Sequence, residues 1–362
     1  MRASRGRERA GATRLRPLLC GYYGEHNLGD DALLAVLLEQ LPPGTRPLVS
    51  AHDGREVRQR HGVATCPRRN PRAMARALLR CDALVLGGGS LLQDSSSLQS
   101  LFYYLMLMAL ARLRRIPVIL WAQGYGPLHR PLSRRLVGGA LGQVSAVSWR
   151  DATSAAAAER WRPGASRWAP DPVWSVPAGS WNGRGGDIVI CWRDTSHLDR
   201  AGWRWLLDQL DALAAASDRA VLWLPFHRDQ DSGLAERLEA SVGIPAGLQR
   251  RSRSVSADSP EQAMDLFQRA GLVLAMRLHA LILAAVSGAP VLAFSYDPKV
   301  QVAAAAAAIP SLDLAQVGSG SRDPDLWMRW QRQLDAPPDP ARIRGLGQAA
   351  ELHRRCLLQG LE

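Results

Sequence analysis

Gly271–Val300, GLVLAMRLHALILAAVSGAPVLAFSYDPKV, decides the fold of this chain. Leu272–Met276 is a short apolar run of strand length, followed by a polar corner at Arg277 and His279. An apolar helix then runs to Ser287, where Gly288, Ala289 and Pro290 break it. Val291–Phe294 reads as a second strand, ending in the corner Tyr296-Asp297-Pro298-Lys299. Two buried strands joined by a helix make a βαβ unit, in which the strands run parallel and near each other in one sheet. Both polar corners then fall at the carboxyl ends of strands, where open α/β sheets bind ligands. Lys299 is the single lysine among 45 Lys+Arg. Arginine supplies positive charge everywhere else, so position 299 is read as one that needs a compact ammonium, against the alternative of a solvated helix start.

The βα rhythm continues on the N-terminal side. Leu15–Cys20 is a first strand, leading through GYYGEHNLGDD (residues 21–31) into a helix over Ala32–Gln40. A strand at Leu48–Ala51 and an Arg-rich helical region ending near Arg80 come next. The strand Ala83–Leu86 opens into Gly87-Gly88-Gly89-Ser90, and three glycines there require unusual backbone angles or a very close neighbour. A long helix (Leu98–Arg114) leads to the strand Val118–Trp121, the turn Gln123–Pro127, and the strand Ala146–Trp149 with Arg150 and Asp151 at its end. Trp168–Gly186, rich in Pro, Gly and Trp, reads as an inter-domain linker. A second series follows: strand Ile188–Trp192, helix Trp203–Ala215, strand Ala220–Leu224 with Pro225–Asp229 after it, and helix Pro260–Arg269. The alanine run 303–308 is helix-compatible filler.

The expected architecture is α/β, with two Rossmann-like domains facing each other across a cleft. Its parts are a disordered basic N-terminus at 1–14, domains at 15–180 and 186–322, and C-terminal helices at 323–362 around a Pro-rich break. The 362-residue length suits two such domains. A formal charge of +12 fits nucleic acid, an anionic membrane surface or phosphorylated substrates. The arginines are scattered, without an RNP-like motif, zinc-finger spacing or basic heptads, which argues against nucleic acid. Five separated cysteines without a CxxC pair read as buried free thiols in a reducing compartment. The first sixteen residues lack an apolar core for a secretory signal, and Leu101–Leu113 is too short and interrupted by Arg112 to span a bilayer. A soluble, cytoplasmic protein is expected.

Taken in order, GYYGEHNLGDD, LVLGGGSLLQD, QGYGP, SWRD, APDP and MRLHALILA…FSYDPKV resemble the polysaccharide pyruvyl transferase family, in particular its bacterial cell-surface-anchoring type. The resemblance covers roughly Cys20–Val300; Asp31 stands where the family often has Glu, and the tail after Ile309 carries no matching motif. It implies a fold similar to the GT-B glycosyltransferases, with the site between the domains. It also implies transfer of pyruvate from phosphoenolpyruvate to a sugar of a surface polysaccharide or its lipid-linked precursor, giving a ketal and releasing phosphate. Location at the inner face of the membrane, as a peripheral protein, would accord with a lipid-linked acceptor.

Ketal formation requires a general acid to protonate the enol methylene, and histidine suits it. His279 is the candidate, against a core or helix-capping histidine. Arg150 and Lys299 are candidate anion clamps, one from each domain, against a surface ion pair with Asp151 and a helix-start residue beside Asp297. Asp30 is the candidate base for the sugar hydroxyl, with helix capping or sugar binding as its alternatives. Asn27, Gly29, Gly87, Gly88, Gly89, Gln123 and Arg277 complete the substrate-binding set; Arg277 is either a third cation or structural. No cofactor is expected beyond the donor substrate, and no metal-ligand spacing is apparent. Two other functions fit parts of this pattern: a nucleotide-sugar glycosyltransferase on the same fold, and a non-enzymatic protein that binds anionic surfaces.

Overall fold

The computed structural model describes residues 15–95, 97–164 and 167–362, so the expected disorder of the basic N-terminus lies outside the described residues. The first sheet takes its strands from β1 (Pro17–Tyr23), β2 (Leu48–Ala51), β3 (Ala64–Pro67), β4 (Ala83–Leu86), β5 (Gly89–Leu92), β6 (Val118–Tyr125) and β7 (Ala146–Trp149). They are ordered β3-β2-β1-β4-β6-β5, with β7 also paired to β6. The second sheet contains β8 (Ile188–Cys191), β9 (Val221–Trp223), β10 (Ser252–Ser254), β11 (Leu272–Ala275), β12 (Val291–Ser295) and β13 (Ser311–Asp313), ordered β10-β9-β8-β11-β12-β13. All strand pairs are parallel. Gly271–Val300 forms the expected βαβ unit, with β11 and β12 in register from Val273 opposite Val291 and the helix Leu278–Val286 between them.

The strands read as unbroken apolar runs because both faces of each sheet are covered. Leu18 and Cys20 face one cluster and Leu19 another; Leu84 and Leu86 oppose Val85 in the same way. In the second sheet Ile188 and Ile190 point to an outer cluster while Val189 and Cys191 point inward. The inner faces of both sheets contribute to one continuous cluster, with Val85 and Ile119 from the first and Val189 and Val273 from the second. All five cysteines are buried and free.

Several boundaries differ from the sequence expectation, each for a local reason. β1 extends to Tyr23, so Gly21-Tyr22-Tyr23 is strand rather than turn. The following helix, Leu28–Gln40, begins at Leu28 because Asn27 caps it, its side chain accepting from the Gly29 N–H at 3.1 Å. Asp30 therefore lies in the first turn and is not the cap. The Arg-rich stretch before Arg80 is two helices, Gly54–His61 and Pro71–Leu78, separated by the edge strand β3. Gly89 begins β5 instead of continuing a loop.

Two segments connect the domains. The first, within 168–186, contains a buried turn at Pro172–Ser175 with Val173 and Trp174 inside the core. The second is the terminal helix Pro340–Leu361, which crosses back to the first sheet, where Gly360 abuts Ile119 and Ala146. Its buried His353 donates from Nε2 to the Pro170 carbonyl and accepts at Nδ1 from the Ser148 hydroxyl, both at 2.9 Å. Burial lowers the imidazole pKa, which suits this neutral tautomer.

Candidate active site

At the carboxyl ends of the two sheets, three turns from the first domain meet three from the second. The turn after β1 is joined to the one after β9 by backbone hydrogen bonds: Leu28 N–H to the Phe226 carbonyl at 3.0 Å and Arg228 N–H to the His26 carbonyl at 2.9 Å. This junction sets the start of the Leu28–Gln40 helix against the start of the Leu278–Val286 helix. The two approach so closely that a Cβ on Gly29 would overlap the His279 ring. Gly29, expected in the substrate-binding set, is thus glycine because its neighbour is the His279 ring.

His279 sits one residue into its helix and is 13% exposed, with Nε2 3.4 Å from Asp171 Oδ2. The contact is an ion-pair approach rather than an aligned hydrogen bond, and both atoms are buried without a hydrogen-bond partner. Asp171 belongs to the segment joining the domains, where its Oδ1 accepts from the Val173 N–H at 3.0 Å. Burial would raise its pKa, but His279 and Arg150 beside it outweigh that and bring it down to about 2. Asp171 is therefore a fixed negative charge against the imidazole. On the other side is Asp30, held by Asn27 Nδ2 at 2.6 Å. Removal from water pushes its carboxyl up to about 6, while the neighbouring His279 opposes the rise. Two carboxyl groups with widely separated pKa values flank one histidine, the environment of an acid/base centre.

Arg150, at the end of β7, lies with one guanidinium nitrogen 3.8 Å from Asp171 and another donating to Ser90 Oγ at 3.0 Å. Lys299 Nζ, from the second domain, reaches the same Ser90 Oγ at 3.3 Å. Asp297 caps the lysine's own helix, its side chain accepting from the Lys299 N–H at 2.9 Å, so it orients the corner. Burial lowers the Lys299 pKa, and the like charge of Arg150 lowers it further. Two cations drawn together in a partly desolvated space form a site for an anion.

The remaining candidates take other positions. Gln123 is fully buried and its Nε2 donates to the Leu86 carbonyl at 3.2 Å and to the Gly87 carbonyl, so it holds the glycine turn. Gly87 and Gly88 pack against Tyr23 and Leu33, where a Cβ would collide, and Gly89 adopts φ +117°. The triplet accommodates protein side chains and delivers Ser90. Arg277 turns toward the second domain, where its guanidinium is held by buried Asp231 and by Gln230 at 3.0 Å. Asp231 in turn accepts from the Phe226 and His227 N–H groups, so this pair secures the junction loop.

Sequence reasoning missed Asp171 and Ser90. Both lay inside quoted motifs, APDP and GGGSLL, which was the available signal. Among the described residues, one group has metal-ligand geometry: His26, Asp53 and Glu56, with ligand atoms within 4.8 Å of one another. Its carboxylates already cap a helix (Asp53) and pair with Arg60 (Glu56).

Among solved structures, the UDP-GlcNAc 2-epimerase from Methanocaldococcus jannaschii superposes with a TM-score of 0.61 at 10% identity, over 96% of this chain and 99% of that one. A putative UDP-N-acetylglucosamine 2-epimerase from Listeria monocytogenes gives 0.59 at 10% identity, over 96% of each chain. Anabaena Alr3699/HepE in complex with UDP and glucose gives 0.57 at 10% identity, over 96% and 97%. The shared feature is the GT-B fold. No curated protein sequence matches significantly. The polysaccharide pyruvyl transferase model matches residues 27–298, a span that begins at Asn27, contains Arg150, Asp171 and His279, and stops one residue before Lys299. With a match over well more than half its length, the chain belongs to the polysaccharide pyruvyl transferase family.

Proposed function

We propose that this transferase moves pyruvate from phosphoenolpyruvate to a sugar of a surface polysaccharide or its lipid-linked precursor, and that the centre around His279 carries the chemistry. The observation that supports the donor most strongly is the pairing of Arg150 and Lys299 on Ser90, one cation from each domain. Phosphoenolpyruvate presents a phosphate and a carboxylate, and a guanidinium and an ammonium suit a bidentate and a point contact respectively.

The atoms balance as follows. Protonated His279 gives its proton to the donor methylene, and Asp171 stabilises the imidazolium beforehand. The enol carbon becomes electrophilic, and a sugar hydroxyl attacks it as its proton passes to Asp30. The carbon–oxygen bond to phosphate breaks, with Arg150 and Lys299 taking up the leaving charge. A second hydroxyl of the same sugar adds to that carbon, closing the ketal, and its proton leaves with phosphate; the proton held by Asp30 returns to His279, restoring both groups.

The test is phosphate release from phosphoenolpyruvate with a panel of oligosaccharide and lipid-linked acceptors, using wild type and His279→Ala. Acceptor-dependent release, lost in the variant while its melting temperature is retained, is expected. No release with any acceptor, or a fully active variant, would overturn the proposal. Thermal stabilisation by UDP-sugars but not by phosphoenolpyruvate would favour a glycosyltransferase instead.

A further inference from the structure

One flank of the first domain is built contrary to the usual pattern for surface helices. A helix covering a sheet buries one stripe and shows a polar one to water. The helix Leu98–Leu113 buries Leu101, Tyr104, Leu107, Met108 and Ala111, as expected. Its outward stripe is also apolar: Phe102, Met106, Ala109 and Leu113 follow one another at helical spacing, with Phe102 48% and Leu113 79% exposed. The neighbouring helix Pro131–Leu141 repeats the pattern with Leu132, Leu136 and Gly139. Between the two lies an apolar groove of roughly 650 Å³, edged by Arg112 and Arg115.

The charge around this face has one sign. Between Glu56 and Asp151 the only acidic residues are Asp82 and Asp94. Each is engaged locally, Asp82 accepting from the Arg16 N–H and Asp94 from the His129 and Arg130 N–H groups. The same span carries Arg112, Arg115, Arg130, Arg134 and Arg135 around the two helices. The adjoining helix Pro71–Leu78 contributes more arginine and is followed by the exposed Leu79.

We propose that this face adsorbs to an anionic phospholipid surface, with the apolar stripes entering the headgroup boundary and the arginines pairing with lipid phosphates. Interfacial helices have this combination of large apolar side chains and long cations that reach around them. A second copy of the chain is the poorer occupant: a symmetric contact through this face would set arginines against arginines with no acid to separate them. No described helix is long and apolar enough to cross a membrane. The inference concerns where the protein sits and is independent of which group it transfers.

The experiment is vesicle flotation of the full chain with phosphatidylcholine alone and with phosphatidylcholine–phosphatidylglycerol mixtures, at low and high salt. Wild type is expected to float with the anionic vesicles only, and less at high salt. Phe102→Glu/Leu136→Glu changes two exposed positions and should leave the melting temperature unchanged while weakening binding roughly tenfold or more. Arg112→Gln/Arg135→Gln should weaken it by roughly fivefold per arginine. The basic first residues are present in every variant, so a loss maps to this face. Failure of wild type to bind anionic vesicles, or undiminished binding by the glutamate variant, overturns the proposal. A wild-type dimer in sedimentation velocity that the glutamate variant converts to monomer overturns it in favour of self-association.

Discussion

Asp171→Asn tests the acid/base centre most directly, because it removes one charge and almost no volume. The amide oxygen can still accept from the Val173 N–H, so the turn at Pro172–Ser175 should keep its cap. What is lost is the negative charge 3.4 Å from His279 Nε2. Burial would raise the Asp171 pKa, but His279, Arg150 and the Val173 N–H together bring it from 3.8 to about 2, so the native surroundings favour the ionised form. His279 is the largest favourable contributor to that preference. Removing the charge that faces the imidazole should lower kcat/KM for phosphoenolpyruvate at least tenfold, about 1.4 kcal/mol of transition-state stabilisation. The assay is acceptor-dependent phosphate release across pH, with KM measured separately, since the donor clamp is untouched apart from the 3.8 Å contact to Arg150. A variant within threefold of wild type would refute the assignment. The same depressed pKa makes a stability statement. This carboxylate's contribution is fully present above its unfolded pKa near 4 and is lost as pH falls toward about 2, so the wild-type advantage over Asn in denaturant melts should shrink across that window.

Other substitutions probe the remaining parts. Lys299→Arg keeps the charge but replaces a point donor with a planar fork at the Ser90 contact, and should raise KM for phosphoenolpyruvate at least tenfold (about 1.4 kcal/mol) in the same assay. Gly29→Ala places a methyl into the His279 ring and should reduce kcat by roughly a hundredfold with little change in secondary structure by circular dichroism. Arg277→Ala leaves the buried Asp231 carboxylate unpaired and should cost about 3–5 kcal/mol in urea unfolding. If Asp30 is the base, the acid limb of kcat/KM should rise through pH about 6, and Asp30→Asn should abolish that limb together with most of the activity.

The strands were legible because burial on both faces turns each into a short apolar run, as in Val291–Phe294 and Ala83–Leu86. Where burial is slight the sequence offers little: β3 has one buried residue, Cys66, and β10, Ser252–Ser254, has none. Helix starts were less legible because Asn27, Asp30 and Asp31 all have capping chemistry, and only the backbone tells which one caps. At the candidate site, His279, Arg150, Lys299 and Asp30 were singled out because each is a polar residue near a strand end within a motif that carries the family resemblance. Asp171 could not, since it lies in a Pro- and Trp-rich connection whose composition suggested a linker. Sequence could not decide whether Arg277 is a third cation or structural, because its partner Asp231, 46 positions away, sits in a four-residue helix that no periodicity announces.

The two connections between the domains lie against each other, with Gly347 of the terminal helix packed on the Trp174 carbonyl and His353 bonded to Pro170. Paired crossings of this kind make a pivot with a defined axis, and Asp171 is the next residue after Pro170. Distances change least near an axis of rotation. Opening and closing would therefore leave the Asp171 carboxylate near its place, while the Lys299–Ser90 contact, which exists only between the domains, would break and re-form. The charge that faces His279 is thereby carried by the connection itself, while the contact of Lys299 with Ser90 bridges the two domains.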